Sequence, residues 1–114
     1  MQQLIYSTVV PVNRVAHREK SLQKMTQLSF VKEVNSFPIV LAEFLRASEE
    51  MPVVFVEAAD TVVPVVLTGL ADKQNLLVTA EGKWDVRYVP AFIRRYPFVF
   101  AEVDGGEELT VCID

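Results

Sequence analysis

Residues 51–70 read MPVVFVEAADTVVPVVLTGL, and this stretch decides the fold class of the chain. Two valine-rich runs, at 53–57 and 62–70, flank the short link AADT at 58–61. β-Branched side chains lose rotamer freedom in helices and suit a packed, pleated surface, so both runs are predicted to be strands. Because the link between them is so short, the two runs predict a β-hairpin.

The C-terminal part of the chain resembles this arrangement. YPFVFAE at 96–102 parallels MPVVFVE at 51–57, with proline and glutamate at matching positions. A turn around Asp104-Gly105-Gly106 separates predicted strands at 98–103 and 108–113. With a helix predicted before each hairpin, we expect two helix–hairpin units, either related by a pseudo-twofold axis or alike by chance. Helix-then-hairpin order favours an α+β fold with an antiparallel sheet and two helices.

The two predicted helices begin at proline-containing segments. The first runs from about Pro38 to Glu50, with Ser36 as its N-cap, and its core-facing residues are Ile39, Ala42 and Leu45. The second runs from about Val86 to Arg95. Because Pro90 falls within it, either its first turn is separate or the true helix begins near Pro90. Shorter strands are predicted elsewhere, at 3–10, 28–31 and 76–79, the last followed by a turn at Glu81-Gly82.

Composition restricts the class of protein. At 114 residues the chain has room for one domain, which we assign to residues 1–114. Hydrophobic residues make up 51% of the chain and the mean hydropathy is +0.26, which is high for a domain of this size. We therefore expect a homo-oligomer, a protein partner or a missing C-terminal half to cover apolar surface. The net charge of −4 argues against nucleic acid as a partner.

The sequence lacks the residues that several functional classes require. Cys112 is the only cysteine, so the chain has no intrachain disulfide and suits a reducing compartment, with Cys112 buried in a strand. No apolar run approaches the ~20 residues that span a bilayer. The N-terminus lacks the features of a signal peptide, which predicts a cytoplasmic location. His17, the single histidine, has no identifiable acid or ligand set around it. We therefore expect no catalytic residues, no metal, no cofactor and no enzymatic activity.

The segment WDVRYVPAFIRRYPFVF at 84–100 concentrates aromatic and arginine residues. The candidate residues for binding a ligand or partner are Trp84, Arg87, Tyr88, Arg94 and Arg95. On one continuous helix, Arg87 and Arg94 share a face two turns apart. Together with Arg95 they would hold a carboxylate or phosphate. The alternative is structural: the aromatic residues pack in the core or an interface, and the arginines join helix to sheet by pairing with Glu43, Glu57, Asp85 or Glu102.

The chain resembles the bacterial SapC family. The resemblance covers nearly the whole chain and is carried by VNSFPIVLAEF (34–44), MPVVF (51–55), VVPVVLTGL (62–70), GKWDVRYVPAFIRRYPFVFAE (82–102), LTVCID (109–114) and the early HRE (17–19). Members usually run to about twice this length, so the chain corresponds to an N-terminal half. The family takes its name from a protein associated with a bacterial surface layer, which implies a cell-surface location. Members are also encoded near receptors and oxidative enzymes, which implies an accessory role, and the resemblance carries over no catalytic residues.

These observations lead to three functional hypotheses. The first is a SapC-like protein that acts as a non-enzymatic interaction or structural module and docks a partner through the aromatic–arginine segment. The second is a domain that binds a small anionic ligand or assists an enzyme, using the arginines. The third is a component of the surface layer.

Overall fold

The structure is a computed structural model that describes residues 5–102 and 105–114. These residues form six β-strands, two short α-helices and two 3₁₀ turns. They divide into two compact units, one made from the chain up to residue 24 and from 95 onward, the other from 25–94. Each unit contains a three-stranded antiparallel sheet. The α+β fold is therefore confirmed, with two small sheets, while the assignment of residues 1–114 to a single domain stays a prediction.

The second unit is built on the predicted hairpin. Strands β3 (Val53–Ala58) and β4 (Thr61–Leu67) pair in antiparallel register over six residue pairs. Their loop contains Ala59 at a φ of 52°, a left-handed conformation that is uncommon for a residue with a side chain. Strand β2 (Ser36–Pro38) pairs with the other side of β4, so the strand order is β2-β4-β3 and β3 is an edge strand.

The first unit repeats this plan with the second predicted hairpin. Strands β5 (Phe98–Glu102) and β6 (Leu109–Ile113) form five antiparallel pairs, and the short strand β1 (Val10–Pro11) lies on the other side of β6. Cys112 on β6 is 2% exposed, which confirms its predicted burial. Of the predicted hairpin, 103–104 fall outside the described residues.

The first helix is shorter than predicted and begins later. Ser36 and Pro38, predicted as N-cap and first turn, lie in β2 instead. Helix α1 spans Phe44–Ser48 and follows a 3₁₀ turn at Leu41–Glu43. The prediction was wrong because pairing with β4 satisfies the backbone of 36–38, and such tertiary pairing overrides a weak local helix signal.

The predicted core stripe of that helix is also corrected. Ile39 is buried, but Ala42 is exposed and Leu45 is 84% exposed. The buried positions are Glu43 and Ala47, four residues apart and therefore on one helical face. A carboxylate thus lies on the buried face, at a position that the predicted stripe of Ile39, Ala42 and Leu45 does not include.

The second helix begins where the alternative prediction placed it. Helix α2 spans Ala91–Arg94, and the Pro90 carbonyl accepts hydrogen bonds from the N–H groups of residues 93 and 94 at 2.9 and 3.1 Å. A start at Val86 is wrong because the N–H groups of Arg87 and Tyr88 donate to the Glu50 carboxylate and lie outside any helix.

Three shorter strand predictions are corrected as well. Residues 28–31 contain a 3₁₀ turn at Ser29–Val31, because the buried side chains of Leu28 and Val31 lie three apart, the spacing of a 3₁₀ turn. Within 76–79 the pairing is reduced to one bridge between residues 78 and 84. Within the described part of 3–10, only Val10 belongs to a strand. The turn at Glu81-Gly82 is present, with Gly82 at a φ of 78°.

A helix does precede each hairpin along the chain, as predicted, but the two helices do not fall one in each unit. Among the described residues, both α-helices lie in the second unit. What the two units share is a hairpin whose second strand also pairs with a short preceding strand. The likeness of the segments 51–57 and 96–102 therefore reflects two similar sheets.

Candidate functional site

The five predicted site residues are divided between the two units. Trp84, Arg87, Tyr88 and Arg94 belong to the second unit, and Arg95 belongs to the first. The predicted shared helical face of Arg87 and Arg94 is wrong, because α2 begins only at residue 91. Three of the four residues in the second unit nevertheless meet, with Tyr88 at their centre. Together with Glu43 and Arg46, Trp84, Tyr88 and Arg94 form what we call the Tyr88 cluster.

Glu43 is the acceptor of this cluster. Its side chain belongs to a residue that is only 6% exposed. One carboxylate oxygen, Oε1, accepts hydrogen bonds from the Tyr88 hydroxyl at 2.7 Å and the Ala91 N–H at 2.8 Å. The other, Oε2, accepts from the Val40 N–H at 3.0 Å. Glu43 therefore satisfies backbone donors at the start of both helical segments, where N–H groups lack intrahelical partners.

These contacts set the protonation state of the pair. Burial raises the pKa of Glu43, but hydrogen bonds from Ala91, Tyr88 and Val40 and the charge of Arg94 outweigh it, so the pKa lies below its ordinary value of 4.5. Burial and the hydrogen bond to Glu43 raise the pKa of Tyr88. At neutral pH a carboxylate thus accepts from a neutral phenol. A general base poised near neutrality needs the opposite shift of the carboxyl pKa.

Tyr88 is held through its ring and its backbone as well. The guanidinium carbons of Arg46 and Arg94 lie 5.9 and 5.8 Å from its ring centroid, within the range of cation–π attraction. The Trp84 indole N–H donates to the Tyr88 carbonyl at 2.8 Å. Arg94 Nε donates to the Val89 carbonyl at 2.9 Å. Of the predicted residues, Trp84, Tyr88 and Arg94 therefore do come together, through contacts internal to the second unit.

Arg87 forms an ion pair with an acid that was not among its predicted partners. Its Nε lies 3.1 Å from Glu50 Oε1, and its own N–H donates to the same oxygen. The Glu50 carboxylate also accepts the Tyr88 N–H at 2.9 Å. Hydrogen bonds from the backbone of Tyr88 and Arg87 lower the pKa of Glu50. Because the Arg87 side chain is 82% exposed, the ion pair adds little stability compared with the backbone hydrogen bonds.

Arg95 takes part in a separate set of contacts in the first unit. Its guanidinium carbon lies 5.9 Å from the ring of Tyr6, and the rings of Tyr6 and Tyr96 are 5.6 Å apart. The Asp114 carboxylate accepts the N–H groups of residues 7 and 8, at 2.7 and 2.6 Å, and the Tyr96 hydroxyl at 3.0 Å. Each unit thus has one carboxylate that joins a tyrosine hydroxyl to backbone N–H groups.

The sequence model of the SapC family matches residues 12–114. The chain belongs to the SapC family. The matched region of this SapC chain contains the whole Tyr88 cluster. No curated protein and no solved structure matches the chain.

Metal-binding clusters and membrane-spanning helices are both absent from the part of the SapC chain that the structure describes. Within residues 5–102 and 105–114, no group of three or more His, Cys, Asp or Glu side chains is arranged to hold a metal ion. In the same part of the chain, no helix is long and apolar enough to cross a bilayer.

Proposed function

We propose that this SapC-family chain is a non-enzymatic interaction module that pairs with a second copy of itself along the open edge of β3. The observation that supports this proposal is the orientation of the backbone groups on that strand. The Leu67 N–H donates to the Pro52 carbonyl at 3.0 Å. Since backbone groups alternate sides along a strand, Val53, Phe55 and Glu57 direct their N–H and C=O groups away from β4.

The open edge lacks the usual protection. Within the described residues, the six outward backbone groups of Val53, Phe55 and Glu57 have no hydrogen-bond partner. The strand reads VVFVEA, without lysine or proline and with one charge. Phe55 is 63% exposed and Val62, on the neighbouring strand, is 58% exposed. Native edge strands of this length are normally blunted by charge, proline or a bulge, and an apolar open edge recruits a strand from another chain.

A second copy is the partner that this strand matches best. In an antiparallel pairing centred on Phe55, this residue lies opposite Phe55 of the partner subunit, and Val53 lies opposite Glu57 of the partner subunit. All three outward residues then form hydrogen-bonded pairs, which satisfies the six open groups on each copy. No glutamate faces its own copy, so the pairing creates no repulsion between like charges. The arrangement is isologous and closes as a twofold dimer.

The expected dimer is weak. A pairing of two six-residue strands buries less than the roughly 1,600 Å² of a standard interface, so we expect a dissociation constant on the order of micromolar. Sedimentation velocity over a series of protein concentrations measures it directly. A chain that stays monomeric up to the highest soluble concentration contradicts the proposal.

Two variants at one position separate the strand edge from the side chain. Phe55→Pro removes an N–H that points to the open edge and leaves the hydrogen bonds between β3 and β4 in place. Phe55→Ala removes the same ring, including its contact with Phe44 at 6.0 Å, but keeps that N–H. We expect F55P to be monomeric and F55A to retain a weakened dimer. Equal loss of the dimer in both variants would show that the ring, and not the backbone edge, holds the two copies together.

The other two hypotheses have less support. The contacts of Arg87 with Glu50 and of Arg94 with Tyr88 favour a structural use of both arginines over an anion site. A small-anion site at Arg87, Arg94 and Arg95 therefore stays a prediction, as does the surface-layer role that the family resemblance implies. Docking of a partner through the aromatic–arginine segment 84–100 also stays a prediction, distinct from the proposed pairing at β3.

A further inference from the structure

The first unit contains a cavity that none of the contacts described above uses. Its volume is about 220 Å³. Its lining residues are apolar, among them Phe98 and Ile113 from the sheet, except for His17, Lys20 and Ser21, which we call its polar wall. The geometry points to a binding site for a small organic carboxylate with an apolar body, of about the size of benzoate. This inference is independent of the proposed dimer, because the β3 edge belongs to the second unit.

The polar wall is an ordered turn. The Asn13 side-chain oxygen accepts the N–H groups of Val15 and Ala16 at 2.7 and 3.1 Å. The His17 N–H donates to the Asn13 carbonyl at 2.9 Å, and the Lys20 N–H donates to the His17 carbonyl at 3.0 Å. The Asn13 N–H in turn donates to His17 Nδ1 at 2.9 Å. Five hydrogen bonds therefore fix the path of residues 13–20 and the orientation of the histidine ring.

The side chains of this wall favour an anion. Because His17 Nδ1 accepts a hydrogen bond, the neutral ring carries its proton on Nε2 and offers that N–H as a donor. Lys20 contributes an ammonium group and Ser21 a hydroxyl. The residues that line the cavity include no acid, and among the described residues Lys20 forms no salt bridge. A carboxylate would provide the acceptor oxygens and the negative charge that these donors lack.

The volume of the cavity and its apolar lining residues indicate the apolar part of the ligand. An engineered protein cavity of about 150 Å³ holds benzene, so 220 Å³ accommodates one ring and a carboxylate. Phe98 is 38% exposed and supplies an aromatic surface against which an apolar body packs. An apolar lining with a few polar groups on one side is the usual composition of a small-molecule site. Because the site is small and open to solvent, we expect a dissociation constant on the order of 1 mM for benzoate.

The test is a titration of the ¹⁵N-labelled full chain with sodium benzoate, followed by amide chemical shifts. We expect saturating shifts at His17, Lys20, Ser21 and Phe98. Benzyl alcohol has the same ring without the charge, and inorganic phosphate has charge without the ring, so we expect both to bind at least about fivefold more weakly. Shifts that do not saturate, or that lie outside the cavity, overturn the proposal. So does equal binding of benzyl alcohol or phosphate.

A pair of lysine variants controls for general charge effects. Lys20→Met removes the ammonium group and keeps an unbranched apolar stem, and we expect it to weaken benzoate binding about fivefold. Lys24→Met removes the same charge from an exposed residue of the same segment that does not line the cavity. We expect K24M to bind like the wild type. Equal weakening in both variants would show that benzoate responds to net charge alone, which overturns the site.

Discussion

Replacement of Glu43 by glutamine tests the carboxylate that joins the two helical segments of the second unit. The carboxylate accepts three hydrogen bonds, from the Tyr88 hydroxyl and from the N–H groups of Ala91 and Val40. A glutamine in the same position has only one acceptor oxygen. If that oxygen keeps the hydrogen bonds from Tyr88 and Ala91, the amide N–H₂ faces the Val40 N–H. The Val40 N–H is then left without an acceptor.

The magnitude follows from these losses. An unsatisfied buried donor costs about 1–3 kcal/mol, and hydrogen bonds to a neutral acceptor are roughly half as strong as those to a carboxylate. Partial solvent screening reduces the loss of attraction to Arg94 to a small contribution. We expect E43Q to lower the free energy of unfolding by about 2–4 kcal/mol. Urea unfolding followed by far-UV circular dichroism measures it. For a urea m-value of about 1–2 kcal/mol/M, the midpoint falls by about 1–4 M.

The control is Glu49→Gln, which removes the same charge from an exposed residue at the end of α1. We expect its midpoint to stay close to that of the wild type. The pH dependence gives a second criterion. Because folding lowers the pKa of Glu43, its contribution is present above the ordinary value of 4.5 and is lost as pH falls through the folded-state pKa. The difference between wild type and E43Q should therefore shrink below about pH 4.5. An E43Q midpoint equal to that of E49Q would show that the Glu43 carboxylate does not stabilise the second unit.

Two further substitutions examine the second unit. Arg94→Ala removes the hydrogen bond to the Val89 carbonyl and the contact with the Tyr88 ring, so we expect the free energy of unfolding in urea to fall by about 1–2 kcal/mol. Arg87→Ala is the control. Because the Arg87 side chain is 82% exposed, we expect its urea midpoint to stay nearly unchanged. An equal loss in both would contradict the assignment of Arg94 to the Tyr88 cluster. Gly69→Ala places a methyl group onto the Gln74 carbonyl oxygen, so we expect thermal unfolding to show a loss of about 2 kcal/mol or more. Gly105→Ala is the comparison, because an added methyl group there meets nothing within 4 Å and only the φ of 68° opposes the substitution. A smaller loss of stability in G69A than in G105A would be evidence against the overlap at Gly69.

Both hairpins could be predicted because their signals are local. The runs at 53–57 and 98–102 are rich in β-branched and aromatic residues, and each is joined to its partner strand by a short link, so strand and turn signals agree. The first helix could not be placed for the opposite reason. Ser36 and Pro38 form a local helix start, but residues on β4, about thirty positions away, pair with them. Nothing within a window of sequence reports such a pairing.

The candidate site was also predictable only where its signals are local. The residue types at 84–94 indicate a cluster, and the structure does bring Trp84, Tyr88 and Arg94 together. The role of Glu43 was not predictable, because its partner Tyr88 lies 45 residues away and a glutamate is seldom buried. The predicted stripe of Ile39, Ala42 and Leu45 carried no signal for a buried side chain at residue 43.

The placement of two single residues gives the chain a native reporter in each unit. Trp84, the only tryptophan, lies in the second unit, and Cys112, the only cysteine, is buried in the first. Indole fluorescence therefore follows the loss of one unit, while the rate of thiol labelling follows exposure of the other. Coincident curves from the two signals in the unaltered protein would establish a single cooperative transition, and separated curves would give each unit its own stability.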